Sequence, residues 1–371
     1  MKITDVEAIH LRLPEVKWIA DGTQDALIIK VHTDEGITGI GEVDSSPHVV
    51  KAVIEAPMSH DTACGLKELL VGEDPFEVEK LWRKMYKGSF YYGRRGAAIH
   101  AISGIDIALW DIMGKVLNKP VWKLLGGSLE KSIRVYASTL FPESIKEGVE
   151  KAVRFAEEGF TAIKFGWGPI GENPSQAVEV IKSIRKAVGY DVDLMVDVGL
   201  GWEIPTAIGI ARELEKYDVF WLEEPVLADH LDSYSAIAET VDIRIAAGEK
   251  ECTFFGFKDL IERGGVDVVQ PDVTRAGGFT ECRKIISFAE TQNVLCVPHA
   301  WSTGIIVAAS IHLISLIANA PFLEFAITDS PLNRSLLVEP LYPKNGIIAR
   351  LEKPGLGIEL NEEIIEKYRV E

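Results

Sequence analysis

DLMVDVGLGWEIPTAIGIARELEKYDVFWLEEP, residues 193–225, is the stretch of the chain that decides the fold. Two short apolar runs within it, DLMVD and VFWLE, end in Asp197 and Glu223. The segment Pro205–Lys216 lies between them and has the apolar spacing of an amphipathic helix. A third run, IRIAAG, is followed by Glu249, so the three carboxylates are each 26 residues apart. This distance fits one strand, one loop and one helix of a repeating β/α unit, which predicts a parallel sheet.

The same alternation continues through the second half of the chain. Short apolar runs that we interpret as strands recur at Ile133–Ala137, Ala162–Phe165, Asp193–Val196, Val219–Leu222, Ile243–Ala246, Val266–Val269, Val294–Val297 and Phe322–Glu324. Helical spacing lies between many of them, at Ser144–Glu157, Ser175–Val188, Pro205–Lys216, Gly278–Thr291 and Thr303–Ile317. Strands that alternate with helices in this way predict an α/β fold, a modified (β/α)8 TIM barrel.

The first part of the chain has a different pattern. Alternating apolar residues predict antiparallel strands at Ile3–Leu13, Asp25–His32 and Ile37–Val43, and helical spacing follows at Phe76–Tyr86 and Ala97–Leu117. We therefore expect three parts: an α+β capping domain over residues 1–125, the catalytic barrel over residues 126–340, and a C-terminal segment over residues 341–371 that packs back on the capping domain.

The overall charge of the chain argues against two classes of partner. A net charge of −17 and a pI near 5.0 disfavour nucleic acid and anionic membrane surfaces. The four cysteines, Cys64, Cys252, Cys282 and Cys296, show no CxxC spacing, which is typical of reduced thiols in a cytoplasmic protein. The apolar run Gly304–Ala320 contains serine, histidine and asparagine, which favours a buried barrel helix over a membrane span.

Charged or ionisable side chains stand at the ends of seven successive predicted strands. They are Lys164, Asp197, Glu223, Glu249, Asp272, His299 and Glu324. A single carboxylate in such a place is often a helix N-cap or a turn residue. The carboxyl ends of barrel strands, however, meet at one mouth, where active sites lie. Three carboxylates that converge there repel one another unless a cation lies between them, and their oxygen ligands predict a hard cation, Mg²⁺ first.

Five short motifs at these strand ends point to a family. They are MVD at Asp197, WLEEP at Glu223, AAGE at Glu249, QPD at Asp272 and PHAW at His299. In this order, and over essentially the whole chain, the sequence resembles the enolase superfamily, in its mandelate racemase and muconate lactonizing enzyme branch, of acid-sugar dehydratase type. The resemblance implies an Mg²⁺-dependent enzyme that acts on a small carboxylate, an aldonic or aldaric acid, and assembles as a homo-oligomer, a dimer or an octamer.

The resemblance also implies roles for individual residues. Asp197, Glu223 and Glu249 would bind one Mg²⁺ per subunit. Asp272 and His299 would form a dyad in which the carboxylate orients and charges the imidazole, and an imidazole supported in this way can take a proton and return it. The superfamily uses a Lys or His base with Mg²⁺, so these roles come from the resemblance. An ordinary buried hydrogen-bonded pair is the alternative interpretation of Asp272 and His299.

The sequence departs from racemising relatives at one decisive position. Those relatives carry Lys-x-Lys on the second barrel strand, whereas here the two positions are Lys164 and Gly166. Lys164 would neutralise the substrate carboxylate or act as a helper acid, unless it is a structural lysine. Glu324 matches the position whose carboxyl group hydrogen-bonds the substrate carboxylate, and it must be protonated to donate that bond, which an anionic neighbour and burial favour. With His299 as the main base, elimination is favoured over inversion.

We therefore predict a hydro-lyase that removes the α-proton of a sugar-acid carboxylate and eliminates the β-hydroxyl, giving a 2-keto-3-deoxy acid. An isomerase of the same scaffold is the alternative: a sugar-lactone cycloisomerase, which also needs one main base, or an epimerase or racemase. A metal-binding relative without this activity is a third possibility, disfavoured because all of the expected ligands are present.

Loops around the barrel mouth are expected to contact the substrate. The segment Pro14–Gln24, between two predicted strands, is a candidate flap over the mouth. The candidate contacts there and in other loops are Trp18, Asp21, His48, Trp167 and Trp301. Packing against the protein is the alternative role of the three tryptophans.

Overall fold

The computed structural model describes residues 1–127, 132–171, 173–199 and 201–370. The strands in these ranges are β1 Ile3–Arg12, β2 Asp25–Thr33, β3 Thr38–Val43, β4 Ser132–Leu140, β5 Ala162–Gly166, β6 Asp193–Asp197, β7 Val219–Glu223, β8 Arg244–Ala247, β9 Val268–Val269, β10 Leu295–Cys296, β11 Leu323–Ala326 and β12 Ile347–Ala349.

The helices in the same ranges are α1 Pro47–Glu55, α2 Leu66–Leu70, α3 Val78–Gly88, α4 Ala97–Leu117, α5 Val121–Leu124, α6 Ile145–Glu157, α7 Pro174–Val188, α8 Ile204–Glu215, α9 Leu231–Ala238, α10 Thr253–Glu262, α11 Gly278–Thr291, α12 Gly304–Ile314, α13 Pro331–Arg334 and α14 Glu362–Tyr368.

The N-terminal part of the chain forms an antiparallel sheet of three strands, β1, β2 and β3, with helices packed against it. The long helix α4 approaches β3 very closely. A Cβ at Gly39 or Gly41 would lie 2.1 Å and 1.9 Å from the carbonyl oxygens of Ala108 and Gly104, so this approach requires glycine at both positions. Among the described helices, α4 alone is long and apolar enough for a membrane span, and 83% of its apolar window is buried inside the protein, as in a core helix.

Eight parallel strands form the barrel in the hydrogen-bonded order β10-β9-β8-β7-β6-β5-β4-β11, and helices α6 to α12 connect them in sequence. The two ends of this order meet, because the backbone N–H of Ala300, which follows β10, donates to Oε2 of Glu324 on β11 at 2.8 Å. The fold predicted from the sequence, a modified α/β barrel with an N-terminal capping domain, is confirmed.

Two layers of side chains fill the inside of the barrel. The lower layer, the hydrophobic floor, receives one residue from each strand or its flank: Tyr136, Ala162, Met195, Trp221, Ala246, Val268, Val297 and Phe322. Side chains of a strand alternate between its two faces, so the residue two positions further along lies on the same face. Those residues are Ser138, Lys164, Asp197, Glu223, Gly248, Gln270, His299 and Glu324. The polar layer therefore lies directly above the floor, at the carboxyl ends of the strands.

Glu42 of β3 joins the capping domain to the barrel. Its buried carboxylate accepts hydrogen bonds from the hydroxyls of Ser302 and Thr303, at 2.8 and 2.9 Å, and from the backbone N–H of Ile306 at 2.8 Å. These donors lie at the N-terminus of α12, where backbone N–H groups have no partner within the helix. Since α12 begins shortly after His299, the capping domain fixes the chain next to a predicted site residue.

The C-terminal segment contacts both parts of the molecule. Its strand β12 pairs antiparallel with barrel strand β4. Beyond α14, the backbone N–H of Val370 donates to the carbonyl of His10 on β1 at 2.8 Å, and the Arg369 guanidinium lies 2.9 Å from Oε1 of Glu7. The segment thus extends from the first barrel strand to the outer strand of the capping sheet.

We expect Glu42→Ala to lower the free energy of unfolding by about 2–4 kcal/mol, because the buried donors at the start of α12 lose their acceptor. Equilibrium denaturation measures this loss. Glu55→Ala is the matched control: Glu55 is exposed on α1 and pairs with Lys51 at 2.9 Å, so its removal should change the stability by no more than about 0.5 kcal/mol. Equal effects of the two substitutions would contradict the docking role of Glu42.

Candidate active site

A cavity of about 470 Å³ opens at the carboxyl ends of the barrel strands, a size typical of small-molecule sites. Residues 19–22 of the capping domain and residues 138–140 at the end of β4 form part of its wall. Its ionisable lining residues, apart from Asp21, are Lys164, Asp197, Glu249, Lys250, Arg275, His299 and Glu324. The cavity therefore lies on the polar layer above the hydrophobic floor.

Three buried carboxylates form an acidic cluster beside this cavity. Asp197, Glu223 and Glu249 each offer an oxygen, and these oxygens all lie within 4.8 Å of one another. Burial and the adjacent carboxylate of Glu223 raise the pKa of Asp197 well above its usual range, because ionising all three groups together is unfavourable. A divalent cation between the three would relieve this repulsion, and a set of oxygen donors suits a hard cation.

The local backbone explains why Glu249, and not the residue before it, joins the cluster. In register, the strands place Asp197 of β6 opposite Glu223 of β7. On the next strand Glu223 lies opposite Ala246, and the polar-layer position is Gly248, two residues further along, whose φ of +136° is open only to glycine and whose Cβ would lie 2.9 Å from the backbone nitrogen of Gln270. The chain turns at this glycine, and the following side chain reaches the cluster.

Lys164 on β5 contacts three carboxylates. Its Nζ lies 2.7 Å from Oε1 of Glu223, 3.0 Å from Oε1 of Glu324 and 4.0 Å from Oδ2 of Asp197. Burial lowers the pKa of a lysine, but the carboxylates of Glu223 and Glu324 outweigh it and raise the pKa of Lys164 well above its usual range. The side chain is a firmly held ammonium group, which suits it to compensate negative charge rather than to accept a proton.

His299 and Asp272 form a hydrogen-bonded dyad. Nδ1 of His299 lies 2.7 Å from Oδ2 of Asp272, whose other oxygen accepts the backbone N–H and the hydroxyl of Thr274 at 2.7 and 2.6 Å. The other ring nitrogen, Nε2, lies 3.2 Å from Oε2 of Glu249. Burial lowers the pKa of a histidine, but the carboxylates of Glu249, Glu324 and Asp272 together raise the pKa of His299 to about 9.

A second acidic group lies next to the dyad. Ligand atoms of Asp44, Asp272 and His299 also lie within 4.8 Å of one another. The guanidinium of Arg275 already binds this group, since it donates to Asp44 and its Nε lies 3.8 Å from Oδ2 of Asp272. His299 also already bonds Asp272 within this group, so the all-oxygen cluster of three strand-end carboxylates is the better site for a hard cation.

The expectation that burial keeps Glu324 protonated is wrong for this structure. Burial does raise the pKa of a carboxyl group, but the Lys164 ammonium, the His299 imidazole and the backbone N–H of Ala300 outweigh it and lower the pKa of Glu324. Its sequence position gave no indication of the lysine 3.0 Å away. Glu324 is therefore a carboxylate that accepts hydrogen bonds.

Trp167 and Glu224 have left-handed backbone conformations, with φ of +57° and +43°. Such conformations are costly for residues other than glycine and concentrate at functional sites. Lys250 lies between the two side chains: its Nζ is 4.7 Å from the centre of the Trp167 ring, donates to Glu224 and lies 2.7 Å from Oε1 of Glu249. The strained backbone thus places an aromatic ring and a carboxylate around one ammonium group at the cavity wall.

The structure brings three of the five predicted substrate contacts to the cavity, namely Asp21, Trp167 and Trp301. Trp18 is fully exposed, and His48 belongs to α1, where its ring stacks edge-on against a histidine of β1 at 4.6 Å. Neither Trp18 nor His48 is among the described residues that line the cavity.

Sequence reasoning missed the other two basic residues of the cavity, Lys250 and Arg275, and residues 138–140 at the end of β4. Lys250 directly follows Glu249, and Arg275 lies three residues after Asp272. A basic residue close to a strand-end acid was the available signal, because such a pair often compensates charge locally.

Two family models match most of the chain. Residues 7–126 match the N-terminal domain of mandelate racemase and muconate lactonizing enzyme, and residues 147–364 match the enolase C-terminal domain-like model. The chain belongs to the enolase superfamily. This confirms the predicted family, and with it the mandelate racemase and muconate lactonizing enzyme branch. Enzymes of this superfamily generally depend on a divalent metal, which the acidic cluster could bind.

Curated relatives and solved structures span the whole fold. The chain is 33% identical over 356 residues to the D-galactarolactone cycloisomerase of Agrobacterium fabrum, covering 93% of this chain and 91% of that protein. It is 33% identical over 360 residues to the arabinonate dehydratase of Saccharolobus solfataricus, covering 95% and 93%. The crystal structure of the 3,6-anhydro-D-galactonate cycloisomerase of Zobellia galactanivorans superposes with a TM-score of 0.91 at 34% identity, covering 100% of both chains.

Gly166, the position of the missing second lysine, is closed to any side chain. A Cβ there would lie 2.6 Å from Cβ and 2.8 Å from Oδ2 of Asp197. We expect Gly166→Ala to displace Asp197, at a cost of about 1–3 kcal/mol for overpacking, and to weaken divalent-metal binding about tenfold or more, as measured by calorimetric titration. Glu249→Gln is the positive control. Gly209→Ala is the negative control, because Gly209 is on α8 with nothing within 4 Å of its added Cβ. Metal binding by Gly166→Ala as tight as that of Gly209→Ala would contradict this account.

Proposed function

We propose that the protein is an Mg²⁺-dependent hydro-lyase that dehydrates an aldonic or aldaric acid to a 2-keto-3-deoxy acid. The residues present fit a bound Mg²⁺, with Asp197, Glu223 and Glu249 as its ligands. When bound, the ion supplies Lewis-acid stabilisation of the charge that the substrate carboxylate gains as its α-proton leaves. The curated relative named arabinonate dehydratase supports this reaction class.

The observation that carries the proposal is that only one of two basic groups in the cavity, His299 and Lys164, is able to accept a proton. His299 lines the cavity, its Nδ1 binds the carboxylate of Asp272, and its Nε2 lies 3.2 Å from Oε2 of Glu249, so the imidazole can take up a proton and release it again. Lys164 is held as an ammonium by Glu223 and Glu324. Inversion at carbon needs a second base, and the described residues at the end of β5 provide none, since Lys164 is charged and Gly166 has no side chain.

The reaction then proceeds with one proton carrier. Nε2 of His299 takes the α-proton, and the electron pair moves into the enediolate of the substrate carboxylate, whose charge the Lys164 ammonium helps to compensate. The same imidazolium returns the proton to the β-hydroxyl, which leaves as water while the electron pair forms the carbon–carbon double bond. The resulting enol tautomerises to the 2-keto acid. Burial of the dyad excludes bulk water from these proton transfers.

A cycloisomerase is the second candidate function. The relative named D-galactarolactone cycloisomerase and the solved structure of an anhydro-galactonate cycloisomerase favour it. The same imidazole can deliver its proton to carbon instead of to a leaving hydroxyl. A panel of open-chain sugar acids and their lactone or anhydro forms separates the two functions by product mass: a dehydratase converts an open-chain acid to a 2-keto acid lighter by one water, whereas a cycloisomerase converts a ring form to a product of unchanged mass.

We expect His299→Asn to reduce kcat by at least about 100-fold, because it removes the proton carrier, while calorimetry still shows Mg²⁺ binding. His60→Asn is the control, because His60 is exposed in the capping domain. Full activity in His299→Asn would remove this residue from the mechanism. Loss of Mg²⁺ binding would instead place it in the metal site.

Activity should rise with pH. A base must be neutral to accept a proton, so kcat/KM increases as the pH passes the pKa of His299 from below. A cation bound to Glu249 would bring this pKa below its value of about 9. Asp272→Asn removes an anion that raises the pKa of His299, so we expect the rising limb to move about one unit lower and the plateau to fall about 100-fold. Asp259→Asn, on the exposed face of α10, is the control. If the rising limb of the pH profile stays at the same pH in Asp272→Asn, the assignment of His299 as the base is contradicted.

A further inference from the structure

Resting on the proposed function, we propose that the substrate carries a single carboxylate. Its non-reacting end is an uncharged polyol, or the ring form of that polyol, and a hydroxyl of this end donates a hydrogen bond to Asp21. A sugar diacid is then excluded, because a second carboxylate would have no cation to bind. The substrate class is thereby narrowed from aldonic or aldaric acids to aldonic acids. The reason is the way in which the charged groups of the cavity are paired.

Every ammonium or guanidinium group that lines the cavity, within the described residues, is already paired with carboxylates. Lys164 lies 2.7 Å from Glu223 and Lys250 lies 2.7 Å from Glu249. Arg275 donates to Asp44. The reacting carboxylate of the substrate has the metal and Lys164 to compensate it. A second carboxylate would have to break one of these pairs and leave a buried carboxylate without a partner.

Carboxyl groups also outnumber the cations around the cavity. Within the described part of the chain, the three basic groups are in contact with seven carboxyl groups: Asp44, Asp197, Glu223, Glu224, Glu249, Asp272 and Glu324. One divalent cation offsets two of these charges. His299, when protonated, offsets one more, so carboxyl groups still outnumber the cations at the barrel mouth, and this excess opposes a second substrate anion.

Asp21 adds a further carboxylate to the wall that the capping domain contributes to the cavity. Its Oδ1 accepts the backbone N–H and hydroxyl of Thr23, at 3.0 and 2.7 Å, and the indole N–H of Trp301 at 3.3 Å. The flap itself is tied down, since Gln24 bonds both the N–H and the carbonyl of Lys17. Three donors thus hold one oxygen of Asp21 in place. Its Oδ2 bonds no described residue, and it can accept a hydrogen bond from a substrate hydroxyl.

A neighbouring cavity of about 680 Å³ shares Asp21, Thr139, Leu140 and Trp301 with the first, so these residues form the wall between the two. Its three cations also have acidic neighbours. Each is paired with an acid of its own: Lys151 with Glu147 at 2.8 Å, Arg154 with Glu158 at 3.8 Å and Arg334 with Asp329 at 3.0 Å.

The test compares aldonic acids with the aldaric acids that have the same hydroxyl configuration, using Mg²⁺-loaded enzyme and kcat/KM as the readout. We expect the best aldonate to exceed its matched aldarate by about 100-fold or more, because the second carboxylate meets like charge. Asp21→Asn should lower kcat/KM for that aldonate about tenfold, through loss of a charge-assisted hydrogen bond, and should narrow the aldonate-to-aldarate ratio. Glu15→Gln, an exposed acid of the same flap, should leave the ratio unchanged.

An aldarate turned over as well as its aldonate would overturn this inference and leave the proposed function standing. An unchanged ratio in Asp21→Asn would overturn the role of Asp21. If no acid is turned over and none exchanges its α-proton with heavy water, the proposed function fails. Calorimetric titration of each pair into Mg²⁺-loaded protein then tests the charge argument alone: weaker aldarate binding supports it, and equal or tighter binding overturns it.

Discussion

Repulsion among buried carboxylates is the constraint on which the site of this protein depends. Asp197, Glu223 and Glu249 converge because barrel strands end at one mouth, and the cost of their convergence appears as the raised pKa of Asp197. Fixed cations reduce this cost from two sides: Lys164 binds Glu223, and Lys250 binds Glu249. The site can therefore fold with its carboxylates in place, and a divalent cation bound to this folded arrangement would stabilise it further.

Much of the site could be predicted from the sequence because strand periodicity connects it to the core. Each residue of the hydrophobic floor is followed, two positions later, by a residue of the polar layer, as with Trp221 and Glu223, or Val297 and His299. An apolar run that ends in an acid or a histidine thus indicates both the strand and its carboxyl end at the barrel mouth. Two strands, β9 and β10, have only two residues each and are shorter than their apolar runs, whereas β4 to β7 and β11 are longer than theirs.

The contacts that the sequence did not reveal are those between segments far apart in the chain. Asp44 contacts Arg275 because the capping sheet packs against the barrel mouth, and no local sequence pattern predicts this contact. The ionised state of Glu324 follows from a lysine on another strand, and the exposure of Trp18 follows from the path of the flap. Such features depend on three-dimensional packing of otherwise ordinary loops, whereas strand ends depend on a local repeat.

The hydrogen bonds of Glu42 constrain how enzymes with this fold can acquire new substrates. Glu42 binds the start of α12, and Asp21 of the same capping domain binds Trp301, so one small domain contacts the chain at two points directly after His299. Grafting the capping domain of another family member onto this barrel would therefore shift the imidazole together with the flap. A variant that accepts a new substrate must therefore also keep the proton-transfer geometry of His299, which requires matched substitutions in both domains.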